Sequence, residues 1–238
     1  MASRQVGAPW QIANGPAQDH ILPAPARTVT VRRRSTRSPT PAAGEHACIA
    51  GRDGELDSIT QFLDCLVARP EILVLEGEPG IGKTTLWLAA VEQARERGFR
   101  VLSCRPSAAE ARLSHSSLAD VLTGACDSVA DALPVPQRRA IDAVLLRTDD
   151  DGAVSDHRAA GAALLSVLNR LAADMPVLLA IDDYQWVDTP SARVIEFAIR
   201  RLSAPTGVLA ALRTGERGQE PWLGCPIRGV SDGCGWGR

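Results

Sequence analysis

From residue 48 onward, short apolar runs alternate with amphipathic stretches. Ile72-Leu73-Val74-Leu75, bounded by Gly77 and Pro79, and Val177-Leu178-Leu179-Ala180-Ile181 are apolar at every position. A strand that is apolar throughout is buried on both faces, the condition of a parallel sheet with helices above and below it. Arg100 to Cys104 and Gly207 to Leu212 read as two further strands, four in all. Between the strands the apolar positions recur at helical spacing. Leu56, Ile59, Leu63 and Leu66 form one such face, with Asp53 as N-cap and Pro70 beyond its end. A helix follows the glycines after the first strand, runs to about Arg97 and stops at Gly98. Two or three helices occupy Leu113 to Leu146, broken by Pro134 and Pro136 and closed by the acidic loop Asp149-Asp150-Asp151-Gly152. Leu164, Leu168 and Leu171 mark a helix over Arg158 to Ala173. Thr189 as N-cap and Pro190 in the first turn open the next, with Val194, Ile195, Ala198 and Leu202 inward. Strands alternating with helices predict an α/β three-layer sandwich around a parallel sheet.

The ends of the chain have a different texture. Residues 1–44 are rich in Pro, Ala, Gln, Ser and Thr, hold no sustained period, and carry six arginines against the single acid Asp19. They read as a disordered basic tail, residues 45–223 as the folded domain, and residues 224–238 as an irregular Gly- and Cys-rich end. No stretch approaches the roughly 20 apolar residues of a membrane span, and the start lacks the apolar core of a secretory signal. The six cysteines form no C-x-x-C pair and have no histidine at metal-ligand spacing, so they read as free thiols. These features predict a cytoplasmic protein with no membrane partner. Net charge is -2, which argues against a polyanion-binding protein as a whole.

Composition changes the picture at one point. Of 26 basic residues, all but one are arginine, and the exception is Lys83. It lies in Gly77-Glu78-Pro79-Gly80-Ile81-Gly82-Lys83-Thr84, a complete G-x-x-x-x-G-K-T between an apolar strand and a helix, with Thr85 continuing into that helix. Glycines at this spacing let backbone N–H groups converge on phosphate oxygens, and the helix adds its positive end. Lys83 is expected to reach the β- and γ-phosphates, and the Thr84 hydroxyl to complete a magnesium shell. The strand Val177 to Ile181 runs into Asp182-Asp183. Asp182 is placed to hold a magnesium-bound water, and Asp183 to orient or deprotonate the attacking water. Arg213, ending the fourth strand, is placed to sense the γ-phosphate.

A guanine-reading N-K-x-D motif needs a second lysine, which the chain lacks, so a GTP switch of that class is excluded. Neither an L-S-G-G-Q signature nor an arginine-rich kinase lid is evident. The chain resembles the AAA+-like ATPase module of large LuxR-type (MalT-like) transcriptional regulators, within the STAND class of signalling NTPases. The resemblance rests on Ile49-Ala50-Gly51-Arg52-Asp53-Gly54-Glu55-Leu56, on Val74 through Thr84, on Leu179-Ala180-Ile181-Asp182-Asp183-Tyr184-Gln185-Trp186-Val187-Asp188 and on Ala211 to Glu216. It implies an ATP-operated, magnesium-dependent switch in which Ile49, Ala50 and Gly51 line the base, while Arg52 contacts nucleotide or braces the first helix. On the same analogy Trp186 packs under the acidic loop, and Asp188 bonds the adjacent helix start or supports the site. His115 and His157, with no paired acid, read as packing or surface residues.

After Leu223 the family continues into a further strand, a helical lid and a C-terminal helix-turn-helix, whereas this sequence reads as truncated or frameshifted. Lid contacts and direct DNA binding are therefore not expected of it. Two readings stand: an ATP-binding, weakly hydrolysing ATPase module that associates with itself or other signalling proteins, and a non-enzymatic remnant or interaction module that keeps the fold.

Overall fold

The computed structural model describes residues 26–32, 51–147, 157–214 and 227–229. Among the described residues six strands build one sheet: β1 (Ala26–Val31), β2 (Glu71–Gly77), β3 (Arg100–Cys104), β4 (Val177–Ile181), β5 (Thr206–Arg213) and β6 (Ile227–Gly229). Their order is β3-β4-β5-β2-β1-β6, and every pairing is parallel. The helices are α1 (Asp53–Leu66), α2 (Lys83–Glu96), α3 (Ser116–Leu122), α4 (Val135–Val144), α5 (His157–Leu171) and α6 (Thr189–Ile199). Among the described residues no helix is long and apolar enough to cross a membrane.

Side chains of a strand alternate between faces, so a strand apolar at every position feeds two cores. Along β2, Ile72 and Val74 join α3 to α6 on one face, while Leu73 and Leu75 join α1 and α2 on the other. β4 divides in the same way, with Val177, Leu179 and Ile181 against Leu178 and Ala180. The α/β sandwich expected from the sequence is the observed fold. Layers approach closely where side chains are small. A Cβ at Gly207 would lie 2.6 Å from Leu66 Cδ1 and 2.9 Å from Phe62 Cζ, so glycine lets α1 settle directly on β5.

The sheet is wider than the sequence implied. Ala26–Val31, assigned above to a disordered tail, is strand β1, paired with β2 from Ala26↔Ile72 to Val31↔Gly77. Val29 and Val31 enter the α1–α2 core and Ala26 the other. At the base of β1, the fully buried Glu71 has Arg69 Nη2 at 2.8 Å and Arg27 Nε at 3.7 Å, ion-pair contacts short of hydrogen-bond geometry. The buried carboxylate is thereby compensated by charge from β1 itself. Ile227–Gly229, within the end read as irregular, is the short strand β6 beside β1.

Two helix starts also shift by one residue. The N-cap of α1 is Arg52, and Asp53 is the first helical residue, where its charge meets the positive helix end. The N-cap of α6 is Asp188, whose carboxylate accepts from Ser191 N–H, so Thr189 is the first helical residue and Pro190 the second. The break expected at the prolines is the start of α4 at Pro134, whereas Pro136 lies inside α4 without interrupting it. Pro134 is the N-cap of α4, and Pro136 lies in its first turn, where the missing N–H has no intrahelical acceptor to lose.

Candidate functional site

In open parallel sheets, ligand sites form outside the carboxyl ends of the strands. That edge gathers the loop after β2, the acids after β4, and the ends of β3 and β5. Gly77 pairs with Arg213 across β2 and β5, and Thr214 N–H donates to Gly77 O at 3.1 Å. β4 follows on the other side of β5, which brings Asp182 and Asp183 to the same edge.

The loop takes its shape from two glycines with positive φ, Gly80 at 74° and Gly82 at 98°. Side-chain-bearing residues disfavour that region, whereas glycine enters it freely. Gly82 is the N-cap of α2, so Lys83, Thr84 and Thr85 form its first turn. The N–H groups of a first turn have no intrahelical acceptor. Glu78, Pro79 and Gly80 are exposed; Ile81 and Gly82 are half-buried. Lys83 is 6% exposed, and its ammonium donates to Gly77 O and Glu78 O, each at 2.9 Å. A buried ammonium needs such partners.

Thr84 and Asp182 stand 98 positions apart in the sequence, yet Thr84 Oγ1 donates to Asp182 Oδ1 at 3.3 Å. Asp182 is buried, and the same oxygen accepts from Asp183 N–H at 3.1 Å. Asp182 Oδ2 faces Arg105 Nε at 3.5 Å, and the Arg105 guanidinium lies 5.9 Å from the centroid of Trp87. Asp182 N–H in turn donates to Cys104 O at 3.1 Å, tying the acid to the end of β3.

Asp183 has φ 47° and ψ 52°, a left-handed conformation that aspartate tolerates better than most residues. Its Oδ1 accepts from Gln185 Nε2 at 2.8 Å and lies 3.3 Å from Arg213 Nε. Gln185 Oε1 accepts from Arg213 N–H at 3.4 Å, so one amide links the acidic turn to the end of β5. Trp186 is half-buried, with the Arg213 guanidinium 5.8 Å from its ring centroid.

Arg52 is buried beside the loop. Its guanidinium donates to Ile81 O and pairs with Glu55 Oε1 at 3.0 Å, bracing both the loop and the first turn of α1. Gly51 is exposed with φ 75°, whereas Ile49 and Ala50 lie outside the described residues.

Asp188 serves the adjacent helix starts. Its carboxylate accepts from the N–H groups of Ser191 at 2.9 Å, His115 at 2.8 Å and Ser117 at 3.2 Å, joining α6 to α3. Burial alone would raise its pKa, but these donors outweigh burial and hold it below the usual carboxylate range. His115 and His157 meet ring to ring, with centroids 5.8 Å apart. Burial pushes the Cys104 thiol far up and the Cys126 thiol up to about 11, with neighbouring acids adding to both shifts and Arg147 partly offsetting that of Cys126.

The structure thus brings together Lys83, Thr84, Asp182, Asp183 and Arg213. The sequence reading gave no role to Arg105 or Gln185. Arg105 had one usable signal, its place immediately after a strand at the carboxyl edge. Gln185 lay inside the acidic string already quoted, but its bridging contact is visible only in three dimensions.

Comparison with known proteins agrees with this geometry at the level of the domain. The DNA-binding protein SMUBP-2 of Rattus norvegicus is 33% identical over 94 residues, 39% of this chain and 10% of that protein. Proteins of the same name from Mesocricetus auratus and Mus musculus match at 32% and 33% over 94 residues. The chain spans about a tenth of the length of these relatives. The AAA ATPase domain profile matches residues 49–210, from just before α1 into β5. The chain belongs to the AAA ATPase domain family.

Proposed function

We propose that this chain is a magnesium-dependent, ATP-binding module that hydrolyses ATP slowly, as the switch domain of a LuxR-type signalling regulator. The observation that carries the proposal is the 3.3 Å approach of Thr84 Oγ1 to Asp182 Oδ1 beside the buried ammonium of Lys83. Two oxygen donors, one a buried carboxylate, suit a hard cation that takes oxygen ligands and keeps several waters. Thr84 and Asp182 would hold magnesium, which supplies positive charge against the phosphates.

Lys83 holds its ammonium against two loop carbonyls, and phosphate oxygens would exchange with these as acceptors. The first turn of α2 and the loop N–H groups orient the phosphates. Asp183 would orient the attacking water and accept its proton at the carboxylate. Arg213 and Gln185 fix that carboxylate and so act as positioning groups, and Arg213 would share the charge developing on phosphate. Slow turnover suits a switch, because the loaded form must outlast the signal it passes on. The Asp-Asp-x-x-Trp-x-Asp string supports the LuxR-type assignment within the wider family. The DNA binding in the relatives' name supports no second reading, since it belongs to proteins of which this chain matches a tenth.

The test is magnesium-dependent ATP binding and phosphate release by wild type, Lys83→Ala and Asp183→Ala. Lys83→Ala should lose binding by at least about tenfold, a loss of about 1.4 kcal/mol. Asp183→Ala should keep binding while phosphate release falls about 10²-fold or more. Absence of ATP binding by the wild type would sink the proposal.

A further inference from the structure

At the carboxyl edge of the sheet, a cavity of about 300 Å³ opens between the tip of β1 and the phosphate loop. Thr30 and Val31 of β1 and the next residue, Arg32, line one side, and the loop contributes Gly77, Glu78 and Ile81. The two sides are pressed together: a Cβ at Gly77 would lie 2.7 Å from Val31 O and 3.3 Å from Val31 Cβ. The volume is at the lower end for a small-molecule site, enough for part of a nucleotide rather than all of it.

The order of the strands gives the bound molecule a direction. Asp182 and Asp183 follow β4, two places from β2 on one side, whereas β1 adjoins β2 on the other. A nucleoside triphosphate whose terminal phosphate faces the acids therefore extends its nucleoside end away from β4, towards β1. The cavity lies on that side and shares three residues with the loop. Its chemistry suits the occupant. Val31 and Ile81 offer apolar surface, Arg32 a planar guanidinium able to stack on a base, and Thr30 a hydroxyl. The exposed Glu78 offers a carboxylate to ribose hydroxyls, a pairing that dinucleotide sites also use.

We propose that β1 walls the nucleoside half of the site, so that a segment outside the matched residues 49–210 takes part in recognising base and ribose. This inference rests on the phosphate-loop reading above and adds a residue-level claim that can fail separately. Thr30 is exposed on its strand, so a large side chain there fills the cavity without entering the core.

The experiment measures binding of magnesium–ATP and of magnesium–tripolyphosphate, which carries the phosphates without the nucleoside, by calorimetry on the full chain. Thr30→Trp should weaken ATP binding about tenfold or more and leave tripolyphosphate binding within about twofold of wild type. Arg32→Ala, truncating an exposed side chain, should cost ATP a smaller factor with the same selectivity, and it carries the test if Thr30→Trp does not melt like the wild type. Unchanged ATP binding in both variants, or a parallel loss of both ligands, overturns the role of β1. Wild type that binds neither ligand overturns the phosphate-loop reading itself, a result distinct from the other two.

Discussion

Asp188 shows how much one side chain can organise. Its carboxylate caps α6 and also receives the first N–H groups of α3, two helices separated by more than sixty residues of sequence. Replacing it with alanine leaves three N–H groups to find other acceptors, all of them in buried residues, and should destabilise the fold by at least about 2 kcal/mol. Because the folded pKa is depressed, the stabilisation is present above the unfolded value, about 3.9, and is lost as pH falls through the lower folded value. Denaturant melts from pH 6 down to pH 2 should therefore show a shallower acid limb in Asp188→Asn than in wild type. An unchanged limb would mean that other carboxylates carry the acid sensitivity. The sequence placed Asp188 at a helix start without choosing between capping and site support. It misassigned the cap to Thr189 because a threonine before a proline carries the usual signature of a helix start. The side-chain links of Arg105 and Gln185 have no comparable signature, since neither residue type nor spacing encodes which carboxylate a long polar side chain will meet.

At the scale of elements, the strands that stand out most are those buried on both faces, although the half-buried β3 was legible as well. β4 is apolar throughout and β2 and β5 carry apolar runs of four and five residues at their centres, and such runs declare themselves. β1 is different: Arg27-Thr28-Val29-Thr30-Val31 carries a β-branched strand signal, but Pro23, Pro25 and the arginines that follow mask it. Its attachment depends on the Glu71 cluster, where Arg27 brings charge from one strand to a carboxylate buried in the next. Arg27→Ala removes one of two compensating cations from that carboxylate, and a loss of about 1–3 kcal/mol should follow. Hydrogen exchange locates it: the amides of β1 should exchange faster than in wild type while those of β4 keep their protection. Equal acceleration in both strands would place the charge cluster in global stability instead of in the seating of β1.

For the whole molecule, the parallel sheet separates two cores, and the phosphate loop leaves the strand that serves both. α2, the helix that presents Lys83 and Thr84, packs in the core it shares with α1 and β1. A ligand that holds the loop therefore stabilises the native state by mass action, about 2.7 kcal/mol at a hundred times its Kd. For a domain of this size the melting temperature should rise by roughly 5–10 °C with magnesium–ATP. Lys83→Ala, measured at the same ligand concentration, should show about half that rise or less. The sequence foretold this architecture and the motif-bearing edge well, because both follow from local patterns. Sheet width escaped it, because pairing partners are a global property.

The solitude of Lys83 has a practical consequence. In 238 residues there is one side-chain amine, and the fold buries it inside the loop that defines the site. An acylating reagent consequently meets a protein whose entire lysine signal comes from a single address. Apart from the chain's own α-amino group, every amide adduct reports the opening of that loop, and the extent of amine modification counts molecules one by one.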